Sequence, residues 1–152
     1  LSELLRGRLT NLGKVTTMGY RSNVRIMTTV EGFRRMCELA WQLAIEKGLP
    51  DSMVLYPKPD ELESLPNKRG YVDDYYDLAE TYCCFGWDWV KWYKDFNDVS
   101  LVEEILVKAE VEGIPWQFFR TGEDYEDVEN RSSDNFYETS LPTLYATLDI
   151  SY

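Results

Sequence analysis

Residues 22–47 read SNVRIMTTVEGFRRMCELAWQLAIEK, and a change of period inside this stretch decides the fold. Its first part, NVRIMTT (23–29), is short and β-branched, with Val24 and Ile26 two apart as a strand with one buried face requires. Thr28 and Glu31 then stand three apart ahead of an apolar run. That is the pattern of a helix start whose hydroxyl and carboxylate satisfy free backbone N–H groups. Phe33, Met36, Cys37, Ala40 and Ala44 follow at i, i+3, i+4 spacing, and Leu39, Trp41 and Leu43 widen the stripe. Gly48 stands where a left-handed C-terminal residue belongs, and Pro50 forbids continuation. A strand running directly into a one-sided helix predicts a sheet with helices packed on it.

The same alternation continues downstream. Residues 81–93, TYCCFGWDWVKWY, are apolar on both faces apart from Asp88 and Lys91, so a central strand is predicted, with Gly86 marking a bulge or a close backbone approach. Ser100 and Glu103 form a second capping pair. The helix from Leu101 buries Val102, Ile105, Leu106 and Ala109 before Gly113 and Pro115 stop it. A strand is predicted over Trp116–Thr121, and another where Leu144, Ala146, Leu148 and Ile150 alternate with polar residues. Residues 49–80 are irregular: PKPDELESLPNKRG holds three prolines among charges, and a helix or a tyrosine-rich loop follows at Val72–Glu80. The expected architecture is α+β, a mostly antiparallel sheet with two helices on one face, similar to a split β-α-β, ferredoxin-like sandwich. Residues 18–152 form this single domain, and 1–17 are an N-terminal extension.

Composition sets the exclusions. The chain has 152 residues, 16 Lys and Arg against 27 Asp and Glu, a net charge of −11 and no histidine. A Ser-His-Asp triad, a Cys-His pair and imidazole metal ligands are therefore ruled out. The acidic balance argues against direct contact with a nucleic-acid backbone. No apolar run is long enough to span a membrane. Cys37, Cys83 and Cys84 are odd in number and lack a C-x-x-C pair, which reads as buried free thiols in a cytoplasmic protein. No cofactor and no metal site is expected. The charge is uneven: residues 1–48 hold eight basic and four acidic side chains, whereas 49–152 hold eight and 23. Such asymmetry bears on partners and not on fold.

Two segments stand out. The stretch 122–138, GEDYEDVENRSSDNFYE, carries seven acids against Arg131 alone. Three readings compete for it: a solvated hairpin, an acidic surface fitted to a basic groove on a partner, and a divalent-metal site, the last without a calcium-loop motif. Residues 71–96 hold ten of the 22 aromatic residues, more than one strand can bury. Core packing competes there with a protein-binding hot spot built from outward Trp or Tyr. Asp88 and Lys91, three apart, form only a fragment of a metal-dependent nuclease site.

Met18-Gly19-Tyr20-Arg21-Ser22-Asn23-Val24 resembles the opening of small tailed-phage and prophage proteins that begin Met-Gly-Tyr-Arg-Ser-acid-Val, with Asn23 in place of the acid. Val90-Lys91-Trp92-Tyr93 and Gly122-Glu123-Asp124-Tyr125-Glu126-Asp127-Val128-Glu129 are similar to later blocks of the same proteins, in the same order. The resemblance implies a mobile-element origin and residence in the host cytosol. Together these readings give an expectation: a non-enzymatic inhibitor of a host nucleic-acid-handling or defence protein, such as a nuclease or CRISPR effector. Its contact residues would be Glu123, Asp124, Glu126, Asp127 and Glu129, with Trp89, Trp92 and Tyr93 as anchors against a partner bearing a basic groove. The alternatives are a metal-dependent hydrolase built on the same acids and an acidic immunity or antitoxin-like protein.

Overall fold

The structure is a computed structural model and describes residues 19–62, 74–79 and 81–145. Five strands in these residues form one sheet: β1 (Ser22–Thr29), β2 (Asp74–Leu78), β3 (Tyr82–Val90), β4 (Trp116–Gly122) and β5 (Val128–Ser132). Their spatial order is β2-β3-β1-β4-β5, and every neighbouring pair is antiparallel. Helix α1 (Val30–Lys47) follows β1, and α2 (Asn97–Val111) joins β3 to β4. Because β1 lies between β3 and β4, and β3 between β2 and β1, two split β-α-β units interlock. This is the expected ferredoxin-like sandwich, with β5 added at one edge.

Side-chain period explains the layering. Val24 and Ile26 of β1, Phe85 and Trp87 of β3, and Phe118 of β4 send their side chains into one core with α1 and α2. Phe33, Met36, Cys37 and Ala40 of α1 and Val102, Ile105 and Leu106 of α2 meet them there. Each fully buried Phe, Leu or Ile contributes about 1.5–3 kcal/mol, so this face drives folding. The opposite face carries a smaller cluster of Met27, Cys84 and Phe136, against which Leu141 and Leu144 pack. β3 is therefore buried on both sides, as its two-faced apolar pattern predicts. At Gly86 a side-chain carbon would overlap the Val24 carbonyl oxygen, so the close-approach reading of this glycine holds.

Several local expectations are corrected. The α1 cap is Thr29, whose hydroxyl accepts the Gly32 N–H at 2.9 Å; Thr28 stays in the strand and donates to the Pro115 carbonyl at 2.8 Å. The α2 start lies at Asn97, which places Ser100 inside the helix, and Asp98 accepts the Val99 N–H at 2.8 Å. Residues 74–78 are strand β2, neither helix nor loop. β5, unforeseen as a strand, pairs with β4 through the acidic segment. Leu144 has no strand partner among the described residues: its N–H and carbonyl meet the buried Gln117 amide at 2.7 and 3.0 Å. The expected positions Ala146, Leu148 and Ile150, and the extension 1–17, lie outside the described residues.

Candidate functional site

The ends of β3 and β4 flank the start of β1, where Ser22 pairs with Val90 on one side and with Gly122 on the other. Both unusual segments therefore meet at one end of the sheet. On the β4 side, residues 123–127 turn the chain into β5. The turn is tied by Gly122 N–H to the Asp127 carbonyl at 2.8 Å and by Asp127 N–H to the Asp124 carbonyl at 2.8 Å. The Asp124 side chain accepts the Glu126 N–H at 3.1 Å, a local turn suited to aspartate.

The acids in this turn divide into two sets. Asp127 and Glu129 face inward and grip Arg120, at 2.8 and 3.0 Å. Glu129 also pairs with Arg131 at 2.7 Å, and Arg131 reaches Glu103 of α2 at 2.8 Å. The Arg120 guanidinium beside it holds the Asp127 carboxyl below the usual aspartate range, against a partial burial that pushes it up, and the Tyr20 hydroxyl adds to the lowering. That hydroxyl donates to Asp127 at 2.8 Å and accepts the Asp124 N–H at 3.1 Å. Gly122 leaves room for both groups: a side-chain carbon there would collide with the Asp127 carboxylate and the Tyr20 hydroxyl.

Glu123, Asp124, Tyr125 and Glu126 form the other set and are all exposed, Tyr125 to 84 %. Glu123 is held in place from below, its carboxylate accepting the Arg21 N–H at 2.6 Å. The result is a braced tip that presents one tyrosine among three carboxylates. Asp127 and Glu129 are thereby corrected from contact acids to internal braces, because arginines within the fold neutralise them. Tyr125 was not foreseen as an anchor; its place at the centre of Glu-Asp-Tyr-Glu in a turn-forming run was the available signal.

On the β3 side the expected anchors separate in the same way. Trp92 is 7 % exposed and stacks on Trp87 at 5.7 Å, so its role is in the core, a correction to the anchor reading. Tyr93 is half-buried; its hydroxyl accepts the Tyr20 N–H at 2.7 Å and its ring meets Phe96 edge-on at 4.9 Å. It braces the chain beneath the tip. Trp89 is 40 % exposed and takes a left-handed conformation, φ 58°, at the register shift between β1 and β3. A bulky residue adopts that region only under constraint. Here the Asn23 side chain accepts the Trp89 N–H at 2.7 Å, and Arg21 donates to its carbonyl at 3.3 Å. Arg21 thus touches both Trp89 and Glu123. Beside Trp89 a cleft of about 510 Å³ opens between the sheet end and the helix layer.

Asp88 pairs with Arg25 at 2.8 Å, which gives the nuclease fragment a structural partner. Among the described residues no three carboxylates or thiols converge where a metal ion could sit. Cys37 is buried, and burial pushes its thiol well above the usual range, which disfavours the thiolate. No helix among the described residues is long and apolar enough to cross a membrane. No known protein family, curated protein or solved structure matches the chain.

Proposed function

We propose that the protein acts by binding, as a phage-encoded inhibitor that presents the β4–β5 tip to a basic groove on a host nucleic-acid-handling or defence protein in the cytosol. The observation that carries this reading is the division of labour among the acids. Asp127 and Glu129 brace the turn, and among the described residues Glu123, Asp124 and Glu126 have no ion-pair partner around an exposed Tyr125. An aromatic side chain ringed by charge is the composition of an interface hot spot, and the net charge of −11 steers a basic partner towards it. Trp89, on the other side of Arg21, widens the same surface.

Capture from host lysate tests the proposal, with the wild-type chain and a Glu123→Lys, Asp124→Lys, Glu126→Lys variant immobilised side by side. The expected result is a nucleic-acid-handling protein retained by the wild type alone, at low salt, and released as salt shortens the Debye length below about 10 Å. Tyr125→Ala should weaken the purified complex by roughly 30-fold, the effect of losing an anchor worth about 2 kcal/mol. Equal retention by the charge-reversed variant would refute the proposal.

A further inference from the structure

Strand β5 is the sheet edge that follows the acidic tip, and among the described residues no strand pairs with its outer side. At one end of the β4–β5 ladder the Gly122 N–H bonds the Asp127 carbonyl, and at the other the Ser133 N–H bonds the Trp116 carbonyl. Antiparallel pairs alternate between bonded and unbonded, so Glu129 and Arg131 direct their backbone groups to β4, opposite Arg120 and Phe118. Val128, Asn130 and Ser132 direct theirs outward. The Val128 N–H is taken by the Glu126 carbonyl at 3.1 Å, whereas among the described residues no carbonyl outside the ladder meets the Asn130 or Ser132 N–H. An open edge of this kind is a template for a further strand.

We propose that β5 pairs antiparallel with β5 of a second copy of this chain, about a two-fold axis at Asn130. The strand's own sequence, VENRS, selects this register. With Asn130 opposite Asn130, the outward backbone groups of the two strands bond each other, and Glu129 of each copy stands opposite Arg131 of the other. An axis at Glu129 or at Arg131 sets like charges opposite, and one at Val128 sets Glu129 opposite Asp127; each is destabilising. An axis at Ser132 runs past the end of the strand. Glu129 and Arg131 are already paired within each copy at 2.7 Å, so the register needs no new ion pair and only avoids repulsion. A two-fold contact of this kind is self-complementary and closes at two copies. Helix α2 adds apolar surface on the same flank. Its Glu103 reaches Arg131, its Glu110 accepts the Asp134 N–H, and Val107, one turn on from Glu103, is 62 % exposed. The charge of −11 on each copy opposes association, so salt that screens it strengthens the pair, the reverse of its effect on a basic partner. That difference of sign keeps this inference independent of the proposed function.

Sedimentation equilibrium of the full chain tests it, together with amide hydrogen exchange read residue by residue. The expected result is a monomer–dimer equilibrium with a Kd below about 1 mM, tightening by at least about threefold as salt rises from about 0.05 M to about 0.5 M. The Asn130 and Ser132 amides should gain protection as protein concentration rises, and those of Glu129 and Arg131, already bonded to β4, should not. Ser132→Pro removes one outward donor and leaves the β4 ladder intact. With folding checked by circular dichroism, it should weaken the dimer by at least about tenfold. A chain that stays monomeric at about 1 mM in high salt would overturn the proposal. So would a dimer that weakens as salt rises, one that forms without added protection at Asn130 and Ser132, or a folded Ser132→Pro protein that associates as tightly. The exchange measurement needs no variant and decides the register by itself.

Discussion

Strand β3 and the β4–β5 turn are the two compositional outliers of the chain, one aromatic and one acidic, and the fold uses them in opposite proportions. Of the β3 aromatics and those just beyond, Phe85, Trp87 and Trp92 are buried, and Trp89 and Phe96 stay exposed. In the turn, Asp127 and Glu129 alone are drawn inward, and Glu123, Asp124 and Glu126 stay in solvent. An outlier of composition is thus no measure of a site. Strand register sends alternate aromatics into the core whatever their number, whereas a turn has no inner face and keeps its charges outside unless an arginine reaches them.

Substitutions on each side can break this contrast. Trp87→Ala removes a side chain that is 2 % exposed from the central core and should cost about 3–5 kcal/mol in urea unfolding. A loss under about 1 kcal/mol, the size of a surface change, would mean that β3 is not the core strand described. Arg120→Ala leaves Asp127 and Glu129 half-buried without their shared partner and should cost about 1–3 kcal/mol while increasing hydrogen exchange in residues 122–128. Unaltered exchange there would contradict the bracing role.

Smaller effects sharpen the comparison. At Trp89 both Gly and Ala remove the ring, but only Gly tolerates the left-handed backbone. Trp89→Gly should be more stable than Trp89→Ala by about 1 kcal/mol, and equal unfolding midpoints would deny the strain. The acid limb tests the other side. Because the folded Asp127 carboxyl lies below its ordinary value of about 3.9, its stabilising contribution is complete above that pH and is lost as pH falls through the folded pKa. Urea midpoints measured from about pH 6 to pH 2 should fall less steeply for Asp127→Asn than for wild type at the acid end. Parallel curves would show that Asp127 does not contribute.

Much of the fold was legible because the helices and inner strands must bury a face. The stripe from Phe33 to Ala44 and the two-sided apolar run at 82–90 leave no other packing. The edge strands escaped detection for the converse reason. Among the described residues β2 (DYYDL) and β5 (VENRS) each pair on one side only, and backbone hydrogen bonds hold them without a strong apolar alternation. Caps shifted by one and by four residues because threonine, serine and aspartate near a helix start compete for the same N–H groups. At the candidate site, sequence located the turn and its acids but not their partition. That partition depends on Arg120, which faces the acids only once β4 pairs with β5, and on Tyr20, distant in sequence and brought to the turn once β1 pairs with β4.

Competition with nucleic acid for the purified captured partner addresses the central claim most directly. The exposed tip acids should occupy the groove that the partner uses for phosphates, so increasing nucleic acid should displace the protein completely and raise its apparent Kd in proportion. A stable ternary complex, with the Kd unmoved by saturating nucleic acid, would contradict the account.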